Sequence, residues 1–147
     1  MPISWKHVKW FTSSEFDDPL YPGSGEFING SLLIMLEKLR NATFDENREK
    51  GWPIVIHNSV GGAVDIKGEH GHSENSLHLF RNNCKAVDFN FKTDASLRKQ
   101  LFLISKIGFG GIGFYPGWKS QGFHIDIRPK NQTQRWICIN GEYTYLL

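Results

Sequence analysis

The segment Gly122-Phe123-His124-Ile125-Asp126-Ile127-Arg128 carries an imidazole, a carboxylate and a guanidinium at every second position. Residues two apart on a β-strand share a face. His124, Asp126 and Arg128 therefore line one side of a half-buried strand, and Phe123, Ile125 and Ile127 line the other. Ala86–Phe91 repeats the design, with apolar Val87, Phe89 and Phe91 alternating with Asp88 and Asn90. Just upstream lies Ser76-Leu77-His78. If the two strands are neighbours in one sheet, His78, Asp88 and His124 converge. Two imidazoles and one carboxylate leave a fourth position open, as catalytic zinc sites do.

A zinc ion held by these three residues would lower the pKa of a water from about 16 to about 7 and polarise a substrate carbonyl. Amide hydrolysis also needs a base to take the water's proton and pass it to the leaving amine. Asp126, two residues from His124 on the same strand face, is the nearest candidate for that catalytic role. Its other reading is a carboxylate that orients a liganding histidine. Arg128 either grips a substrate carboxylate through a bidentate contact or pairs with Asp126. Ser76 is a second substrate-contact candidate, or else a residue that shapes its loop. His70-x-His72 is a further pair able to bind a metal. In a stretch rich in His, Gly and Glu it is equally readable as solvated loop.

The elements that must position these groups fit one domain, 1–147, with one core. Residues 1–26 read as an irregular arm lying over it, rich in turn signals at Asp18-Pro19 and Tyr21–Gly25. A helix is expected over 29–41, capped by Asn29 or Ser31, with Leu32, Leu33, Leu36 and Leu39 as its apolar stripe. Glu37, Lys38 and Arg40 fall largely off that stripe. Pro53–Ile56 reads as a short buried strand, followed by the turn Gly61-Gly62-Ala63. A second helix is expected over 94–107, capped by Thr93 or Asp94 and closed by Gly108. Its stripe is Leu97, Leu101, Ile104 and Ile107, broadened by Phe102 and Leu103. Residues 111–115 and 122–128 form a hairpin, and Asn140-Gly141 turns a last one between 134–139 and 142–146. The fold class is α+β: a mostly antiparallel sheet with helices packed on one side.

Apolar residues make up 39% of the chain and charged residues 22%, an ordinary globular composition. Aromatics reach 14%, which fits an aromatic-rich core or a carbohydrate-like partner. The net charge of +2 is scattered, without the basic stripe of a nucleic-acid binder. No run approaches the roughly 20 apolar residues of a membrane span, and no secretory signal is legible. The expected state is a monomer. Cys84 and Cys138 read as reduced thiols, with a single bridge, or a minor ligand role for Cys84, as alternatives.

In their order along the chain these pieces resemble the zinc D-Ala-D-Ala carboxypeptidases and L-alanyl-D-glutamate endopeptidases, which share the hedgehog/DD-peptidase fold. The short phage and prophage members look nearest. The resemblance rests on Ser14-Glu15-Phe16 with Pro22–Gly25, the helix ending Leu39-Arg40, Pro53–Ile56 and Gly61-Gly62-Ala63. It continues through Ser-x-His and Ala-x-Asp at Ser76, His78, Ala86 and Asp88, then Gly111–Pro116, His124-x-Asp126 and Arg135-Trp136. It implies zinc on His78, Asp88 and His124. It also implies a peptidoglycan peptide as substrate, and an endolysin in the host cytoplasm or a tail-associated hydrolase that is a component of the virion. Three departures stand out. His78 and Asp88 lie ten steps apart, more than is usual in the family, so an insertion around Arg81–Lys85 must bulge out. The family's Tyr-Arg pair after the Pro-Ile strand is replaced by His57-Asn58-Ser59. Gln121 stands where many members carry an acidic base, three positions before the last histidine.

Overall fold

Alternating strands build the centre of the molecule, which the computed structural model describes over residues 3–146; Met1, Pro2 and Leu147, at the ends of the expected domain, lie outside the described residues. Six strands run β1 Ile54–Ile56, β2 Ala86–Phe91, β3 Gly111–Tyr115, β4 Gly122–Asp126, β5 Gln134–Ile139 and β6 Glu142–Leu146. They form one open sheet of order β1-β2-β4-β3-β5-β6. Every neighbouring pair is antiparallel except β3 with β5. Both expected hairpins are present. The β5–β6 turn places Asn140 and Gly141 at φ +52° and +79°, as a tight two-residue turn requires. The α+β expectation is borne out, with two helices, α1 Gly30–Ala42 and α2 Leu97–Ile107.

One face of the sheet is apolar because every second residue is. Val87, Phe89, Phe91, Ile112, Phe114, Phe123 and Ile125 are buried there and share one core with Leu32, Leu33, Leu36 and Leu39 of α1 and Leu103 and Ile104 of α2. Burying each large apolar side chain contributes roughly 1.5–3 kcal/mol. The core thus fixes which way each strand faces, and a one-residue slip would turn the polar row inward.

Three local details differ from the sequence reading. Ser96, not Thr93 or Asp94, caps α2, its Oγ accepting the Lys99 amide at 3.3 Å. Thr93 instead closes a turn onto the Ala95 amide, which delays the helix. Phe102 and Leu97 of the expected stripe are exposed, since Leu103 and Ile104 already fill the contact with the core. Arg40 is buried despite its charge. Its guanidinium bonds Thr43 Oγ1 and the Lys50 carbonyl, both at 3.2 Å, and stacks on Trp10. Asn29 caps α1, its side chain accepting the Ser31 and Leu32 amides.

The N-terminal arm is pinned at several points. Phe11 and Phe16 enter the core, and Glu37 of α1 accepts the Lys9 and Trp10 amides. Buried Asp18 accepts the Ile66 amide at 2.9 Å and so reaches the long loop that carries the histidines.

Candidate metal centre

The polar row of the sheet begins with the pairing of β2 and β4. Asp88 stands directly opposite His124, and Gly113 and Trp136 continue the same row on β3 and β5. Gly113 has to be glycine: a Cβ there would run into the Trp136 indole, which lies over β3 with its ring centre 5.3 Å from that of His124. Sequence alternation thus delivers two candidate ligands and an aromatic wall without help from any loop.

His78 comes from the loop, and the loop absorbs the long spacing. The Lys85 amide bonds the Leu77 carbonyl at 2.7 Å and closes 78–84 into a bulge. Asn83 and Cys84 take left-handed conformations at φ +74° and +49° to complete it. This bulge takes up the residues between His78 and Asp88. His78 Nε2 comes to 3.3 Å from Asp88 Oδ1, and His124 Nδ1 lies 2.9 Å from the same oxygen. One donor atom from each of the three residues lies within 4.8 Å of the others. Beneath them Gly62 packs so closely on Asp88 that a Cβ would clash with it, and its carbonyl accepts the Asp88 amide at 2.7 Å.

Each imidazole has its second nitrogen fixed. His78 Nδ1 lies 3.0 Å from the Ala63 carbonyl, which can only accept, so Nδ1 carries the proton and Nε2 offers a lone pair to the centre. His124 Nε2 donates to Asp126 Oδ2 at 2.8 Å, which leaves Nδ1 for the centre. A carbonyl and a carboxylate behind the two histidines are the usual outer partners of metal-binding imidazoles. Two nitrogens and one carboxylate suit zinc, with room for a further ligand on the cleft side. Burial alone would raise the Asp88 carboxyl, but His78 and His124 beside it outweigh that and hold it well below the usual range. Burial alone would lower His124, but its bonds to Asp126 and Asp88 outweigh that and raise it to about 9.

Asp126, expected as the catalytic base, is placed otherwise. It is fully buried, and both of its oxygens are taken. Arg128 binds it in a fork, Nε to Oδ1 at 2.8 Å and Nη2 to Oδ2 at 2.6 Å, and His124 takes Oδ2 as well. Burial raises its carboxyl less than Arg128 and His124 lower it, so it stays ionised. Asp126 is therefore a positioning residue for His124. Arg128 is committed to Asp126, yet it borders the cleft with Nη1 unbonded among the described residues. Ser76 also borders the cleft, and its Oγ accepts the His78 amide at 3.2 Å. Cys84 is no ligand. It is fully buried in the core, where burial pushes its thiol up to about 12.

The His70-x-His72 pair splits between two buried carboxylates. His70 Nε2 lies 2.8 Å from Asp18 Oδ1, and His72 Nδ1 lies 2.7 Å from Asp65 Oδ2. Asp18, Asp65 and His70 also bring donor atoms within 4.8 Å of one another. Their oxygens are already occupied: Asp18 by the Leu20 and Ile66 amides and His70, Asp65 by the Gly68 and Glu69 amides and His72. The sequence reading missed both acids. The visible signal was turn chemistry, a carboxylate one residue before Pro19 and another three before Gly68.

The three candidate ligands open onto a cleft of about 520 Å³. Its walls include Tyr115 stacked on Trp118 at 4.1 Å, Trp136, and Tyr143. The aromatic content therefore serves both the core and the cleft. Compared with protein-family models, with curated proteins and with solved structures, the chain matches none.

Proposed function

We propose that this chain is a zinc-dependent peptidase of the hedgehog/DD-peptidase fold. It hydrolyses peptide bonds in peptidoglycan stem peptides or cross-bridges, as a phage endolysin or a tail-associated hydrolase. The observation that carries the zinc reading is the pair of committed outer nitrogens, His78 Nδ1 on the Ala63 carbonyl and His124 Nε2 on Asp126, which turn the other nitrogen of each ring toward Asp88. The peptidoglycan reading rests on the order of the short motifs from Ser14 to Trp136.

His78, Asp88 and His124 would hold the ion, which when bound supplies Lewis-acid polarisation of the scissile carbonyl and an acidified water. Asp126 holds the His124 ring at the angle that directs Nδ1 inward. Arg128 keeps Asp126 ionised and presents its free Nη1 edge to an acidic group of the peptide. Trp136 and the Tyr115–Trp118 stack supply a rigid aromatic wall that excludes water from one side of the cleft.

The test is a digestion screen with zinc-loaded protein on purified cell walls of several peptide chemistries, counting new amino groups. Release that disappears in His124→Ala is expected; no release from any wall would overturn the reading. A second reading is a non-catalytic wall-binding or virion protein that keeps the fold and metal. It is favoured by the closed environment of Asp126 and by Gln121, which cannot take a proton. Stoichiometric wall binding that persists in Asp126→Ala and His124→Ala would support it over turnover.

A further inference from the structure

With Asp126 sealed and Gln121 unable to act, the proposed hydrolysis lacks a base on β4. We infer that His72, held by Asp65, is that base; this rests on the peptidase reading above.

His72 is built into the site from two sides. Its ring stacks on that of His78, centres 4.4 Å apart and planes 7° from parallel. Its Nδ1 donates to Asp65 Oδ2 at 2.7 Å. Asp65 is fully buried, and its other oxygen accepts the Gly68 and Glu69 amides at 2.7 and 3.3 Å. The carboxylate is thus immobile, and it selects the tautomer with the proton on Nδ1 and a lone pair on Nε2. Nε2 bonds nothing among the described residues. No buried side-chain nitrogen or oxygen there lacks a partner, so this atom reaches solvent, and His72 lines the same cleft as the three candidate ligands. His72 is not one of the three residues whose donor atoms cluster, although it touches one of them. It stands where a group beside the metal ligands, and not a ligand itself, would stand. A buried carboxylate and an imidazole with a fixed tautomer and an unbonded, solvent-reaching nitrogen form the acid–histidine pair used for proton transfer on many unrelated folds.

The step balances without any further reactant. The water's oxygen bonds to the carbonyl carbon as one proton passes to His72 Nε2. The C–N bond then breaks, and that proton passes from Nε2 to the leaving amine nitrogen. The second proton of the water leaves with the new carboxylic acid, which ionises in solvent. His72 ends neutral, as it began, and Asp65 stays charged throughout as a positioning residue.

The experiment compares wild type with His72→Phe and Asp65→Asn, all reconstituted with zinc. Phenylalanine keeps an aromatic ring against His78 and removes both nitrogens, at the cost of the Asp65 Oδ2 contact, so circular dichroism and zinc content are measured first to establish that the variant folds and holds metal. Three readouts are taken: zinc per chain, long-range nitrogen–proton NMR of the wild-type imidazoles, and amino groups released from purified walls. The expected result is unchanged zinc in His72→Phe, an Nδ1–H tautomer for His72 in wild type, and a loss of rate of about 10²-fold or more. Asp65→Asn should lose the fixed tautomer and part of the rate. Walls cut as fast by His72→Phe as by wild type, or an Nε2–H tautomer for His72, would overturn the base while leaving the zinc peptidase standing. Walls left uncut by zinc-bound wild type would overturn the peptidase reading and the base with it.

Discussion

Zinc binding should release about one proton at neutral pH, and Asp126→Asn should reduce that number. In the metal-free protein His124 stands between two carboxylates, 2.9 Å from Asp88 Oδ1 and 2.8 Å from Asp126 Oδ2. Its pKa is raised to about 9. At pH 7 such a group is about 99% charged, and the Nδ1 proton must leave before a metal can take that lone pair. Removing the Asp126 carboxylate lowers His124 toward its ordinary value of about 6.5, where only about a quarter of the imidazoles are charged at pH 7. The assay is calorimetric titration with zinc in buffers of different ionisation enthalpy, which gives the proton count from the slope. Apparent affinity should also weaken about tenfold for each unit of pH below about 9 in wild type. Loss of the outer partner should itself weaken binding about 10–100-fold. Zinc bound at pH 7 with no proton release, or with the same release in both proteins, would refute the claim that Asp126 charges His124.

Other outcomes follow from the same geometry. The metal-free protein should be most stable near pH 6: the raised His124 contributes up to about 3 kcal/mol below pH 6.5 that is lost as the pH rises through about 9. The depressed Asp88 and Asp126 contribute stability that is present above about pH 4 and lost below it, which denaturant melts across pH will show. Gly113→Ala should cost about 1–3 kcal/mol and disturb Trp136 fluorescence, because the new methyl meets the indole. Under native conditions a thiol reagent should modify partly exposed Cys138 and spare buried Cys84, giving one adduct by mass spectrometry.

The strands were legible because their periodicity is a local property. Phe123-His124-Ile125-Asp126 reads its own two faces, and the same alternation puts Asp88 on the polar face of its strand; that the two strands are neighbours, with Asp88 against His124, is set by the sheet pairing. The Asn140-Gly141 turn was legible for a similar reason, since few residue pairs accept two positive φ angles. What could not be read were contacts set by the path of the 57–85 loop. The Ala63 carbonyl behind His78, and Asp18 reaching Ile66 and His70, join residues far apart in sequence through backbone groups that carry no sequence signature. The role of Asp126 lay between the two. Its pairing with Arg128 was one of two visible alternatives, and burial decided between them, leaving no face of the carboxylate for a water.

The most direct test of the metal centre is elemental mass spectrometry on protein purified without chelator, wild type beside His124→Ala and His78→Ala. One zinc per wild-type chain and none in either variant, with all three folded by circular dichroism, is the expected result. Wild type that holds no zinc even after reconstitution, or variants that keep it, would contradict a centre built from His78, Asp88 and His124.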